Sequence, residues 1–86
     1  MNKNRLNPDA PRLVLRRLVK EAPMSQKAVA AAVGEREDTF SKTLSGTPGY
    51  DLDTPQLVNV LNIIGVDFAR FAQLVAVENE KLRDNL

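Results

Sequence analysis

Cysteine and histidine are both absent from the 86-residue sequence, and these absences exclude several kinds of chemistry. Without cysteine the chain forms no disulfide and offers no thiolate nucleophile. Without either residue it lacks the usual ligands of a zinc site, and the absence of histidine removes the most common general base. A chain of this length is also too short to enclose a large active site. We therefore predict a protein that is not an enzyme, with no catalytic residues, no metal and no cofactor.

Long apolar runs are scarce as well. The apolar run at residues 13–15 is followed at once by two arginines, whereas a membrane helix needs about 18 or more apolar residues. The first residues are basic but include no apolar segment and no small-residue cleavage site, which is unlike a signal peptide. With 43% hydrophobic and 27% charged residues, the composition is typical of a soluble globular protein. We expect a single cytoplasmic domain with no membrane segment.

The net charge of +1 hides an uneven charge distribution. Residues 1–27 carry seven basic and two acidic side chains, whereas residues 28–86 carry five basic and nine acidic ones. Two interpretations of the basic end stay open: its charges only solvate the first helix, or they contact a nucleic-acid backbone. The candidates for such contacts are Lys3, Arg5, Arg12, Arg16, Lys20 and Lys27.

Proline and glycine divide the chain into five segments with helical periodicity, and none alternates as a strand would. We predict helix 1 from Pro8 or Pro11 to Glu21, helix 2 from an N-cap at Ser25 to Val33, helix 3 before Gly46, helix 4 from Thr54 to Gly65, and helix 5 from Asp67. The expected core positions share helical spacing and are Leu15, Leu18, Val19, Ala22, Phe40, Leu44, Leu57, Val60, Leu61, Ile64, Phe68 and Phe71. The side chains of helix 1 expected in water are Arg12, Arg16, Arg17 and Lys20.

Three stretches carry a more specific signal: SQKAVAAAVG at 25–34, FSKTLSG at 40–46 and LVNVLNIIGV at 57–66. Over about residues 11–72 the chain resembles the Xre family, the phage-repressor-like or lambda-repressor-like helix-turn-helix DNA-binding domains. The resemblance implies a compact five-helix, all-α lambda-repressor-like domain with a helix-turn-helix formed by helices 2 and 3, to which this chain adds an extended C-terminal helix. It also implies a sequence-specific transcriptional repressor that binds a palindromic operator in double-stranded DNA as a homodimer, as in a phage, a mobile element or an antitoxin.

The same resemblance assigns roles to individual residues. A structural role falls to Ala30, Gly34 and Phe40. The positions that would face the DNA groove are Arg36, Glu37, Asp38, Ser41, Lys42 and Ser45. Contacts with phosphate would come from Ser25, Gln26 and Lys27. The charge distribution, and not the resemblance, adds Lys3 and Arg5 in a basic N-terminal arm at residues 1–7.

The start of helix 3 supports a second hypothesis from a different class. Glu35, Glu37 and Asp38 would place three carboxylates against a polyanion, which opposes nonspecific affinity for DNA. In this alternative the fold serves as a protein–protein interaction module with weak or no DNA binding. Its acidic helix would dock on a basic protein partner, and a toxin or the transcription machinery are the candidates.

The last helix is predicted to extend beyond the helix-turn-helix domain at residues 8–76. Residues 67–86 would span about 30 Å if fully helical, more than a small core can cover. We expect Phe68 and Phe71 to close the core, with Glu78 interrupting the apolar seam. A dimerisation role for the extension at 77–86 and a frayed end both stay open. The residues predicted to contact a second copy are Leu74, Val75, Val77, Leu82 and Leu86.

Overall fold

The computed structural model describes residues 9–84, and the side chains of residues 9–82. This part of the chain forms five helices and no strand, so the predicted all-α class is confirmed. The helices are α1 (Asp9–Glu21), α2 (Gln26–Ala32), α3 (Glu37–Ser45), α4 (Thr54–Ile64) and α5 (Phe68–Asp84). No single helix among these residues is long and apolar enough to cross a membrane, and α4 with Phe68–Leu82 meets that test only as a pair bent by 111°. Lys3, Arg5 and Leu86 lie outside the described residues.

Side-chain caps explain where two of the helices begin. The Ser25 hydroxyl oxygen accepts a hydrogen bond of 3.1 Å from the Ala28 amide, which confirms the predicted N-cap of α2. In α4 the cap is Asp53 rather than the predicted Thr54, because the Asp53 carboxylate accepts a 2.8 Å bond from the Gln56 amide. This cap accounts for the place of Asp53 immediately before the helix.

α1 is the central helix, in contact with each of the other four. Its buried residues are Ala10, Val14, Leu15 and Val19, of which the sequence predicted the last two. The other fully buried core positions come from α2 to α5 and are Val29, Ala30, Phe40, Leu44, Val60, Leu61 and Phe71. α5 packs along α1, so the core is arranged around α1 rather than around the α2–α3 pair.

Phe68 contradicts its predicted place in the core. Its side chain is 53% exposed, whereas Phe71 is buried as expected. Phe68 is the first residue of α5, and its ring lies against that of Phe71 with centroids 6.1 Å apart and planes tilted by 47°. One aromatic ring at this end of α5 therefore enters the core and the other covers it from outside.

The C-terminal half of α5 packs on α1 instead of extending away from it. Val75 is only 7% exposed, and Leu74 and Leu82 pack against the core, so these three predicted dimer contacts are largely used within the monomer. Glu78, expected to interrupt an apolar seam, is buried and accepts a hydrogen bond from the Arg17 guanidinium. Arg17, predicted to lie in water, is therefore half-exposed and paired with Glu78. α5 runs without a break through the predicted boundary at 76/77.

Candidate functional site

α2 and α3 are packed together and joined by a four-residue connection that turns at Gly34. The Glu35 amide donates a 2.8 Å bond to the Ala30 carbonyl, and the Gly34 amide donates a 3.1 Å bond to Ala31. This pair of bonds satisfies the free carbonyls at the end of α2 and requires a positive φ, which is 76° at Gly34. The connection therefore fixes the direction in which α3 leaves α2.

α3 has a buried face and an opposite polar face. The buried face holds Phe40, Thr43 and Leu44. With about 100° between successive residues, the polar face spans an arc of about 140°. Its residues are exposed or partly exposed and are Glu37, Asp38, Ser41, Lys42 and Ser45. Five of the six residues predicted to face a groove therefore share one face of α3, and the sixth, Arg36, precedes the helix as an exposed N-cap residue.

The first turn of this polar face is acidic. Glu37 forms no ion pair with another described residue, and the Asp38 carboxylate takes a contact of 3.4 Å from the Arg36 Nε. Both members of that pair are well exposed, so it contributes little to stability. The Asp38 Oδ1 also accepts a 2.9 Å bond from the Thr39 amide. The acidic end thus consists of solvated carboxylates at the positive end of the helix, where they favour its dipole.

The second half of the polar face carries hydroxyls and one lysine. The Ser45 hydroxyl donates a 2.8 Å bond to the Ser41 carbonyl, and the buried Thr43 donates one of 3.1 Å to Thr39. Because of its bond to Thr39, Thr43 occupies a core position without an unpaired hydroxyl. The Lys42 ammonium lies 5.1 Å from the centre of the Tyr50 ring. Tyr50 comes from the loop after α3, and its contact with Lys42 was not predicted.

The turn between α2 and α3 is also tied to α4. The Gln56 side-chain amide donates a 2.6 Å bond to the Glu35 Oε1, whereas the buried Glu35 Oε2 has no hydrogen-bond partner among the described residues. Glu35 therefore points inward to α4 instead of joining the exposed acids Glu37 and Asp38. Of the three carboxylates predicted to face a partner, the structure places two on the outer face of α3.

The far end of α3 is held by Arg12 of α1. The guanidinium donates a 2.9 Å bond to the Leu44 carbonyl and lies 3.6 Å from the Asp9 carboxylate. The guanidinium also lies close to Gly46, where an added Cβ would be 2.8 Å from the guanidinium carbon. The Arg12 side chain is only 19% exposed, so its predicted position in water is wrong. The sequence carried only a weak signal for this contact. A cation on one helix can be matched to the C-terminus of another only once the packing of the two helices is known.

The residues predicted to bind phosphate lie at the start of α2. Ser25 and Lys27 are exposed and Gln26 is partly exposed. The Ser25 hydroxyl is already used as the cap, whereas Gln26 and Lys27 make no ion pair or side-chain hydrogen bond with another described residue. Of the basic residues on α1, Arg16 and Lys20 are likewise without such a partner in the described part of the chain.

Comparisons with protein-family models, with curated proteins and with solved structures find no match.

Proposed function

We propose that this protein is a sequence-specific, double-stranded DNA-binding transcriptional repressor in which α2 and α3 form a lambda-repressor-like helix-turn-helix. The observation that carries the proposal is the polar face of α3, which lies opposite the buried face of the same helix. Such a helix is anchored by its apolar side and leaves its polar side for the edges of bases in a major groove. Lys42 supplies the cation for guanine or phosphate, and Asp38 supplies an acceptor for the cytosine amino group.

Affinity for the DNA backbone comes from the flanking cations in this proposal. Gln26 and Lys27 at the start of α2 are the phosphate contacts, and Lys20 and Arg16 are additional candidates on α1. Arg12 and Arg17 are assigned to the fold instead, because they bond the Leu44 carbonyl and Glu78. Backbone contacts must here outweigh the carboxylates of Glu37 and Asp38, which makes affinity strongly dependent on salt.

Selection of bound fragments from a random duplex library tests DNA reading directly. We expect enrichment of a palindromic motif. On the selected duplex, Lys42→Ala and Gln26→Ala should each weaken binding by about tenfold, because each removes one contact with a base edge or phosphate. Lys81→Ala is the matched control, since it also removes an exposed lysine, one that lies on α5. Unchanged binding by both site variants, or an equal loss in the control, would show that this face does not bind DNA.

The homodimer of the proposal uses a face of α5 that shares Val75 with the predicted contacts but otherwise lies nearer the start of the helix. An apolar groove of about 410 Å³ lies between α5 and the residues Pro11 and Leu57, and the exposed Phe68 lines it. A second copy placed there would cover Phe68 and the little of Val75 that is exposed, whereas Leu82 is outside the groove and packs against the core. The two-fold symmetry of such a dimer suits a palindromic operator.

Phe68→Ser is expected to raise the dimer dissociation constant by about tenfold or more, because it removes the largest exposed apolar side chain of the groove. Val77→Ser provides a control of similar exposure, 50% against 53%, on the part of α5 outside the groove. Sedimentation velocity over a range of concentrations measures both constants. An equal shift in the two variants, or none in Phe68→Ser, would place the interface elsewhere.

The exposed carboxylates Glu37 and Asp38 favour one second candidate function, a module that binds a basic protein partner through α3. The two functions differ in their response to charge. Glu37→Gln with Asp38→Asn should abolish binding of a basic partner, whereas it should strengthen nonspecific DNA binding. The absence of any enriched duplex at low salt, together with stoichiometric capture of a protein that the double variant loses, would favour this second candidate.

A further inference from the structure

The loop after α3 returns Tyr50 to the helix by two consecutive turns. The Thr47 amide donates a 3.0 Å bond to the Lys42 carbonyl as the helix ends. Residues 47–50 then form a turn in which the Tyr50 amide donates a 3.1 Å bond to the Thr47 carbonyl. Proline at its second position and a φ of 87° at Gly49 are the features of a type II turn. The Tyr50 ring is thereby placed beside the residue whose carbonyl ends the helix.

Lys42 has two neighbours that compete for its ammonium. Asp38 lies four residues earlier on α3, which is the spacing at which an acid and a following lysine normally pair. Instead the Asp38 carboxylate contacts Arg36, and Lys42 forms no ion pair with a described residue. Its Nζ lies 5.1 Å from the Tyr50 ring centre, within the usual range of a cation–π contact. The aromatic ring attracts the cation without neutralising its charge.

We propose that Tyr50 is a positioning residue for DNA recognition, which holds Lys42 at the C-terminal end of the polar face and away from Asp38. Lys42 is thus presented to DNA as a charged donor, and the acidic and basic ends of α3 stay separate. Without the ring, Lys42 pairs with Asp38 and loses affinity for electronegative base edges or phosphate. This inference rests on the proposed function, in which Lys42 contacts DNA.

The duplex selected by the wild-type protein tests this role by fluorescence anisotropy. Tyr50→Leu, which removes the ring, should weaken binding by about three- to fivefold, and Tyr50→Phe, which keeps it, should stay within about twofold of wild type. In a Lys42→Met background, Tyr50→Leu should change the affinity by less than about twofold, because the two residues then no longer interact. Equal binding by wild type and Tyr50→Leu, or an equal loss in Tyr50→Phe, would overturn the role of the ring.

A second measurement does not depend on DNA. In NMR spectra of the free protein, the Tyr50 ring should shift the Lys42 Hε protons upfield relative to those of Lys81, and Tyr50→Phe should keep this shift while Tyr50→Leu abolishes it. If no duplex is selected but the Lys42 Hε protons are shifted upfield, the proposed function fails while the contact between Lys42 and Tyr50 is confirmed. Lys42 protons that resemble those of Lys81 in the wild-type protein would overturn the inference whatever the DNA result.

Discussion

Arg17→Met is expected to lower the free energy of unfolding by about 2–3 kcal/mol, because it leaves the Glu78 carboxylate buried without its partner. The Glu78 side chain is 10% exposed and lies on α5, whereas Arg17 is 49% exposed on α1. Water can therefore solvate Arg17 when the pair is broken, but it cannot reach Glu78 to the same degree. The melting temperature should fall by about 10 °C or more, which a thermal unfolding curve measures.

This asymmetry provides the controls for Arg17. Glu78→Met removes the buried charge and should cost about 1 kcal/mol or less, since the half-exposed guanidinium returns to water. The double variant Arg17→Met with Glu78→Met should be more stable than Arg17→Met alone, because an apolar pair of similar size replaces the ion pair. Equal losses in the two single variants would mean that the pair stabilises the fold by a symmetrical attraction and that burial of Glu78 is unimportant.

Gly46→Ala is expected to destabilise the fold by about 2–4 kcal/mol through two separate effects. With a φ of 77°, any residue with a Cβ is strained there, at a cost of about 1–2 kcal/mol. The new Cβ would also lie 2.8 Å from Nε and Cζ of Arg12. The guanidinium must then move away from the Leu44 carbonyl, and the end of α3 loses a charge-assisted hydrogen bond.

Gly34→Ala is a matched control for this substitution. Gly34 has nearly the same φ, 76°, but nothing lies within 4 Å of an added Cβ. Chemical denaturation of both variants should give a smaller loss for Gly34→Ala, and the difference should disappear when Arg12 is replaced by methionine. A difference that persists without the guanidinium would assign the extra cost at Gly46 to the backbone rather than to Arg12.

The two arginines change how the basic end of the chain is interpreted. Sequence counts treat all seven basic side chains of residues 1–27 as equivalent. In the structure, Arg12 stabilises the end of α3 and Arg17 neutralises Glu78, so both serve tertiary contacts. The contribution of this region to any affinity for a polyanion depends on its remaining cations, among which Lys20 and Lys27 are exposed.

The amino-acid sequence by itself determined the local structure. Five helices follow from apolar residues at helical spacing, and their ends follow from caps and glycines such as Ser25, Gly34 and Gly65, because these signals act within a few residues. The resemblance to a known family, and not periodicity, supplied the individual residues of α3 that face outward. Helical spacing placed Phe40 in the core and the resemblance gave Ala30 a structural role, and both side chains are buried.

Only the tertiary structure decided which side chains meet across helices. A period of 3.6 residues defines the face of a helix but not its neighbour, so Arg17 with Glu78, Arg12 with the Leu44 carbonyl, and Lys42 with Tyr50 had no local signal. For the same reason α5 was expected to offer Leu82 to a second copy, whereas in the structure Leu82 packs against the core. Whether an apolar residue is free or buried depends on where the central helix α1 lies, and that position follows from the packing of all five helices together.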